Sequence, residues 1–141
     1  MRFMVIVKAN DDSEKGVLPD EKILRAMGKY NDELVKAGVL LAGEGLHPSS
    51  KGMRVKFEGS KRTVIDGPFV ETKELIAGFW LLQAKSREEV LEWVKRAPFD
   101  GGTEIEVRQV HEAEDFAASD PTGEIRKHEA QLREATAARR K

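Results

Sequence analysis

The run Leu75–Ala84, LIAGFWLLQA, constrains this chain more than any other stretch. It is apolar on both alternating faces, the pattern of a strand covered on two sides, so it belongs inside a sheet and not at an edge. Ser86 follows, with Glu89 three residues on, the capping-box spacing that satisfies the free N–H groups at a helix start. Val90, Leu91, Val94 and Ala97 then form one apolar stripe with Trp93 at its margin, and Pro98 stops the helix.

The rest of the chain arranges itself around that strand and helix. Phe3–Val7, within Arg2–Ala9, is a second continuously apolar run and reads as another buried strand. Asn10–Leu18 reads as a loop with Gly16 its most flexible point. Pro19 suits the first helical position, and Asp20 and Glu21 suit the positive end of the helix dipole. Ile23, Leu24, Met27, Tyr30, Asn31, Leu34 and Val35 recur at helical spacing, and Gly38 is the C-terminal stop. Val39–Leu46 begins another strand, in which Gly43 and Gly45 either weaken pairing or let something approach the backbone closely. Met53, Val55 and Phe57 alternate with charged residues, and Thr63–Ile65 returns as their hairpin partner. Phe99–Gly102 is a glycine-rich link, and Thr103–Val110 is the last strand, with Ile105 and Val107 on one face. The order β-α-β-hairpin-β-α-β is an α+β, ferredoxin-like pattern with an antiparallel sheet and an inserted hairpin. We read residues 1–118 as the domain and 119–141 as a charged, alanine-rich tail that only Ile125 and Leu132 can anchor, so that a chain ending after Ala118 should still fold.

Asp66-Gly67-Pro68-Phe69, Glu71-Thr72-Lys73-Glu74, Gly78-Phe79-Trp80, Leu41–Leu46 and Ile105–Arg108 stand in order along the chain. Together they resemble the YCII-related proteins, in the branch named after the DGPF run, over Arg2–Phe116. The resemblance implies a ferredoxin-like unit that pairs into a dimeric α+β barrel. It implies little about the reaction: relatives in the wider superfamily include isomerases, dehydrochlorinases and monooxygenase-like proteins, and some DGPF proteins are linked to alternative sigma factors. The wider family's proposed His–Asp dyad has its histidine in the first helix. Counting back from Ala37-Gly38, that position falls near Met27, which does no acid–base work, so this departure counts against the dyad here. Gln109 stands where relatives often have proline.

Two helices cover one face of such a sheet, and the other would leave Met4, Ile6, Ile76, Trp80 and Leu82 bare, a patch too apolar for a monomer. A homodimer is expected on that ground, with a charged residue at Trp80 or Ile76 giving monomers or aggregates.

Candidate chemistry rests on few residues. Asp66, beside a turn at a strand end, suits a general base or polar anchor; equally, its carboxylate suits the backbone N–H groups of its own turn. Glu44, Glu106 and Arg108 would line the barrel interior if Ile105 and Val107 face the helices. There they would bind or activate a small anion or enol, or else form an ion pair between strands or subunits. His47, in the loop after Leu46, is the natural proton carrier near neutral pH, although a lone loop histidine is usually solvated. Trp80 is a candidate to line the substrate pocket, but Tyr30, Trp80 and Trp93 also fit simple packing. These residues suggest a cofactor-free enzyme doing proton-transfer, isomerase or elimination chemistry on a small-molecule ligand; the alternative is a non-catalytic binding or regulatory module.

Composition closes other routes. With no cysteine, thiol catalysis and disulfides are out, and three scattered histidines, His47, His111 and His128, offer no metal spacing. Charged residues make up 35% but nearly cancel to −1, without the basic stripe that nucleic acid attracts. Ser49 and Ser50 have no nucleophile elbow, and no Gly-rich phosphate loop opens a helix. No run is long enough to cross a bilayer and Phe3–Val7 is too short for a signal segment, so a cytoplasmic protein without cofactor or membrane partner is expected.

Overall fold

The fold comes from a computed structural model that describes residues 1–99 and 101–140, with Lys73 described by its backbone alone. Asp100 of the Phe99–Gly102 link and Lys141 of the tail lie outside the described residues. Two compact units divide the chain, Met1–Val110 and His111–Lys141, at a point ahead of the Ala118 boundary read from sequence.

In the first unit the elements run β1 (Arg2–Lys8), α1 (Asp11–Glu14), α2 (Glu21–Lys36), β2 (Leu40–Gly45), β3 (Met53–Glu58), β4 (Lys61–Asp66), β5 (Ile76–Gln83), α3 (Arg87–Lys95) and β6 (Ile105–Gln109). The main sheet has order β2-β5-β1-β6 with every pairing antiparallel, the ferredoxin-like arrangement, and β3–β4 forms a separate two-stranded sheet. The doubly apolar runs β5 and β1 are the two inner strands.

Helix ends follow local chemistry. Ser86 is the N-cap of α3, its side chain accepting the Glu89 N–H at 3.1 Å, while the Glu89 side chain reaches one residue past the expected box to accept the Lys85 N–H at 2.7 Å. Gly38, at φ +73°, ends α2, with Gly38 N–H bonded to Val35 O and Val39 N–H to Leu34 O. That pair of bonds is a Schellman motif, which needs the left-handed backbone glycine adopts without strain. The α2 start differs from expectation: Asp20 is the N-cap, accepting from the Ile23 N–H at 2.9 Å, and Pro19 lies outside the helix. The Asn10–Leu18 loop also contains an unforeseen helical turn, α1, closed by reciprocal Asn10 and Ser13 bonds.

The helices cover the face of the sheet that carries Phe3, Val5, Trp80 and Leu82, packed with Tyr30, Leu34 and Val90. Here a sequence expectation is overturned. Trp80 and Leu82 are buried beneath the helices, so by strand alternation Phe79 and Leu81 face away with Met4 and Ile6. Both faces of β5 are apolar, so parity had to be decided by partners. The Trp80 indole N–H donates to Asn31 Oδ1 at 2.9 Å, and the ring meets Tyr30 and Phe99 edge-on at 5.5 and 6.0 Å. Gly43 makes room for it: a Cβ there would lie 2.8 Å from Trp80 Cδ1. Tyr30 donates to Trp93 O at 2.7 Å, and burial pushes its phenol up to about 12. A charged residue at Trp80 would therefore break this core instead of producing a folded monomer.

The far face is less bare than expected; of the five residues named for it, only Ile76, at 42%, stands exposed. The hairpin does present an exposed apolar face, on which Met53, Val55, Phe57 and Val64 lie together.

The second unit is tied by polar contacts rather than by Ile125 and Leu132, which are 67% and 48% exposed. Asp120 is buried and accepts from the Ile125 and Arg126 backbone N–H groups at 3.2 and 3.0 Å and from Arg126 Nε at 3.0 Å. It thereby caps α4 (Glu124–Arg139), whose own N-cap, Gly123, has no side chain. Burial raises the Asp120 pKa, but these bonds outweigh it and hold the carboxyl below its ordinary 3.8. A depressed folded pKa contributes stability that is present above 3.8 and lost as pH falls through the lower folded value. The amide shifts of Ile125 and Arg126, followed by NMR against pH, are expected to titrate with a midpoint below 3.8; a midpoint at or above it contradicts the capping role.

Among the described residues no helix is long and apolar enough to cross a membrane, and no group of three His, Asp or Glu side chains is arranged to hold a metal ion.

Candidate functional site

The turn Asp66–Phe69 is built into the fold through Ser49. Glu14, at the end of α1, accepts the Ser49 N–H at 3.0 Å and also the Ser49 hydroxyl. The same hydroxyl oxygen accepts the Phe69 N–H at 3.1 Å, and Gly67 N–H donates to Gly52 O at 3.0 Å. Ser49 thus clamps α1 to the turn that follows β4. The approach is close enough that a Cβ on Gly67 would fall 1.8 Å from Ser49 O, which is why glycine stands there. The Gly67–Pro68 peptide is cis. Phe69 in turn carries the Arg54 guanidinium over its ring, 3.8 Å from the centroid.

This clamp borders an open groove of about 510 Å³. Leu46, Pro48, Met53, Phe69, Leu75 and Ile76 give it apolar walls, and Glu14, His47, Ser49, Lys51, Arg54 and Glu74 its polar groups. Its size is that of a small-molecule site, roughly 300–1,000 Å³. Chemically, it offers an apolar bed, two cations and an imidazole at the surface.

Of the residues singled out by sequence, only His47 is here. Asp66 is exposed at the end of β4, opposite Met53, and among the described residues its carboxylate has no hydrogen-bond partner, so the turn-capping alternative is not what it does. Glu44 lies on the far face of the sheet, opposite Phe79. Glu106 and Arg108 share that face from β6; Glu106 is 3.4 Å from Lys8 of β1, the inter-strand ion-pair alternative, and 3.9 Å from Arg108 on its own strand. Since β2 and β6 are opposite edges of the sheet, Glu44 and Glu106 stand about 14 Å apart at ~4.8 Å per strand. Trp80 is in the core on the helix side and does not line this groove. Within one protomer Glu44, Glu106 and Arg108 thus share the face away from the helices, with Glu44 at the edge opposite the Glu106–Arg108 pair, while Asp66 lies on the separate hairpin sheet.

Glu14, Ser49, Arg54 and Phe69 are what sequence reasoning missed. Glu14 had one local signal, the Asn10–Ser13 capping pair that defines α1. For the others the informative contacts cross 35 and 20 residues of chain, which no periodicity reports.

The sheet order defines a ferredoxin-like α+β protein that carries an open groove beside its hairpin. The family model of the YCII-related domain matches residues 1–114, and the chain belongs to that family. It is similar to the uncharacterized protein R00369 of Rhizobium meliloti (strain 1021), at 32% identity over 76 residues, 54% of this chain. The match spans 61% of that relative's length. A solved structure, the 5-chloro-2-hydroxyhydroquinone dehydrochlorinase TftG from Burkholderia phenoliruptrix AC1100 in complex with 2,5-dihydroxybenzoquinone, superposes with a TM-score of 0.41 at 18% identity, covering 81% of this chain and 98% of its own. That likeness is too distant to carry chemistry from one to the other.

Proposed function

We propose that the protein binds a small organic molecule in the groove beside the Asp66–Phe69 turn and, without a cofactor, moves a proton on it through His47. The observation that carries the reading is the groove itself: His47 stands in a lining that joins an apolar bed to the clamped turn. An imidazole is suited to this work near neutral pH, where it can both take and give a proton. Keto–enol interconversion and elimination both require that transfer next to a carbonyl or leaving group.

Phenylpyruvate tautomerisation, followed by absorbance, tests it. The protein is expected to accelerate the reaction over buffer, and His47→Asn to remove most of the gain, on the order of 10²-fold for a positioned acid–base group. No acceleration, or equal rates for both proteins, would favour the alternative of a binding or regulatory module. That alternative gains support from the placement of Asp66 on the hairpin and of Glu44 at the sheet edge opposite Glu106 and Arg108.

The reading includes a homodimer. Its support is the hairpin, whose exposed apolar face and lack of a third strand leave it marginal in water by itself.

A further inference from the structure

We propose that the groove is an anion site: it takes a small planar carboxylate carried on an apolar or aromatic body, with the Arg54 guanidinium as its anchor. This rests on the reading of the groove as a small-molecule site and supplies the ligand class which that reading leaves open.

Arg54 enters from β3, just beyond the Ser49–Lys51 turn. Stacking on Phe69 occupies one flat face of its guanidinium and leaves the in-plane N–H groups at the edges available. The Phe69 backbone is tethered, because its N–H is bonded to Ser49 and Ser49 is held by Glu14. The fork is thus presented in a restrained orientation, which lowers the cost of forming two parallel bonds to a carboxylate.

The cations of the lining are free to take a carboxylate. Among the described residues neither Arg54 nor Lys51, the second cation of the lining, has a carboxylate within ion-pair distance. The lining's two acids differ: Glu14 is occupied by the two donors of Ser49, while Glu74 has no side-chain donor among the described residues. Two cations against two acids leave the lining without net charge, which disfavours a phosphate dianion and makes the unpaired Arg54 fork, not the field of the groove, the anchor for a carboxylate. Leu46, Met53 and Ile76 then supply apolar surface for the body of the ligand.

Benzoate, with benzamide as its neutral isostere, is titrated into the full chain while the amide NMR signals of Ser49–Arg54 and Phe69 report occupancy. Benzoate is expected to move these signals, and benzamide to bind about tenfold more weakly or worse, as loss of a charge-assisted pair requires. Arg54→Gln and Arg54→Lys should each weaken benzoate by about tenfold, the lysine because it keeps the charge but loses the fork and the stack. Arg87→Gln, on α3, should leave binding unchanged. Equal binding of benzoate and benzamide, or undiminished binding by either Arg54 variant, overturns the anchor while leaving the groove as a site. Absence of any groove shift with both probes overturns the anion site and the groove reading together.

Discussion

Gly67→Ala is expected to destabilise the Met1–Val110 unit by roughly 3 kcal/mol, seen as a lowered urea midpoint. The new Cβ would sit 1.8 Å from Ser49 O and 2.7 Å from the Ser49 carbonyl carbon, so backbone and not a flexible side-chain end must give way. Ser49 is poorly placed to yield: its N–H and hydroxyl are both tied to Glu14, and its carbonyl accepts the Gly52 N–H at 2.9 Å. Displacing the turn also removes the Phe69–Ser49 bond and the platform under Arg54, so the groove should lose its shape along with the stability. Gly45→Ala is the control, since nothing lies within 4 Å of a Cβ there. A Gly67→Ala protein with the wild-type midpoint would show that the turn and the Ser49 segment are not in fixed contact.

Replacing Val55 with Lys and Phe57 with Glu together is expected to convert a dimer into a folded monomer. The two residues alternate on β3 and face the same way as Met53 and Val64; Val55 is 46% and Phe57 68% exposed and neither belongs to the core, so the substitutions remove no core packing within the protomer. At ~25 cal/mol per Å², even a few hundred Å² of such surface buried between copies is worth several kcal/mol, and two inserted charges would forfeit it. Light scattering at micromolar concentration gives the mass, and circular dichroism checks that the variant is folded. A monomeric wild type, or a variant that stays dimeric, removes the hairpin from any subunit interface.

Much of this fold was legible because its determinants are local. The doubly apolar runs at Phe3–Val7 and Leu75–Ala84 could satisfy themselves only as inner strands, and they occupy the two inner places of the sheet. Ser86 with Glu89 and the glycine at position 38 fixed helix ends within a few residues, because capping bonds span only one turn. The Asp66–Phe69 run and its companions pointed to the family that the whole first unit matches.

Tertiary structure alone decided the rest. Alternation along β5 yields two apolar faces and no preference between them; Asn31, Tyr30 and the space over Gly43 placed Trp80 under the helices. A hydrophilic-looking loop supplied Glu14 to a bond 35 residues away, and that bond set the turn on which Arg54 is stacked. Residue type announced carboxylates fit for chemistry at Asp66, Glu44 and Glu106, but distance is what makes a site. Strand order holds Glu44 and Glu106 at opposite edges of one sheet, and Asp66 on another, because pairing satisfies backbone hydrogen bonds without regard to which side chains it brings together.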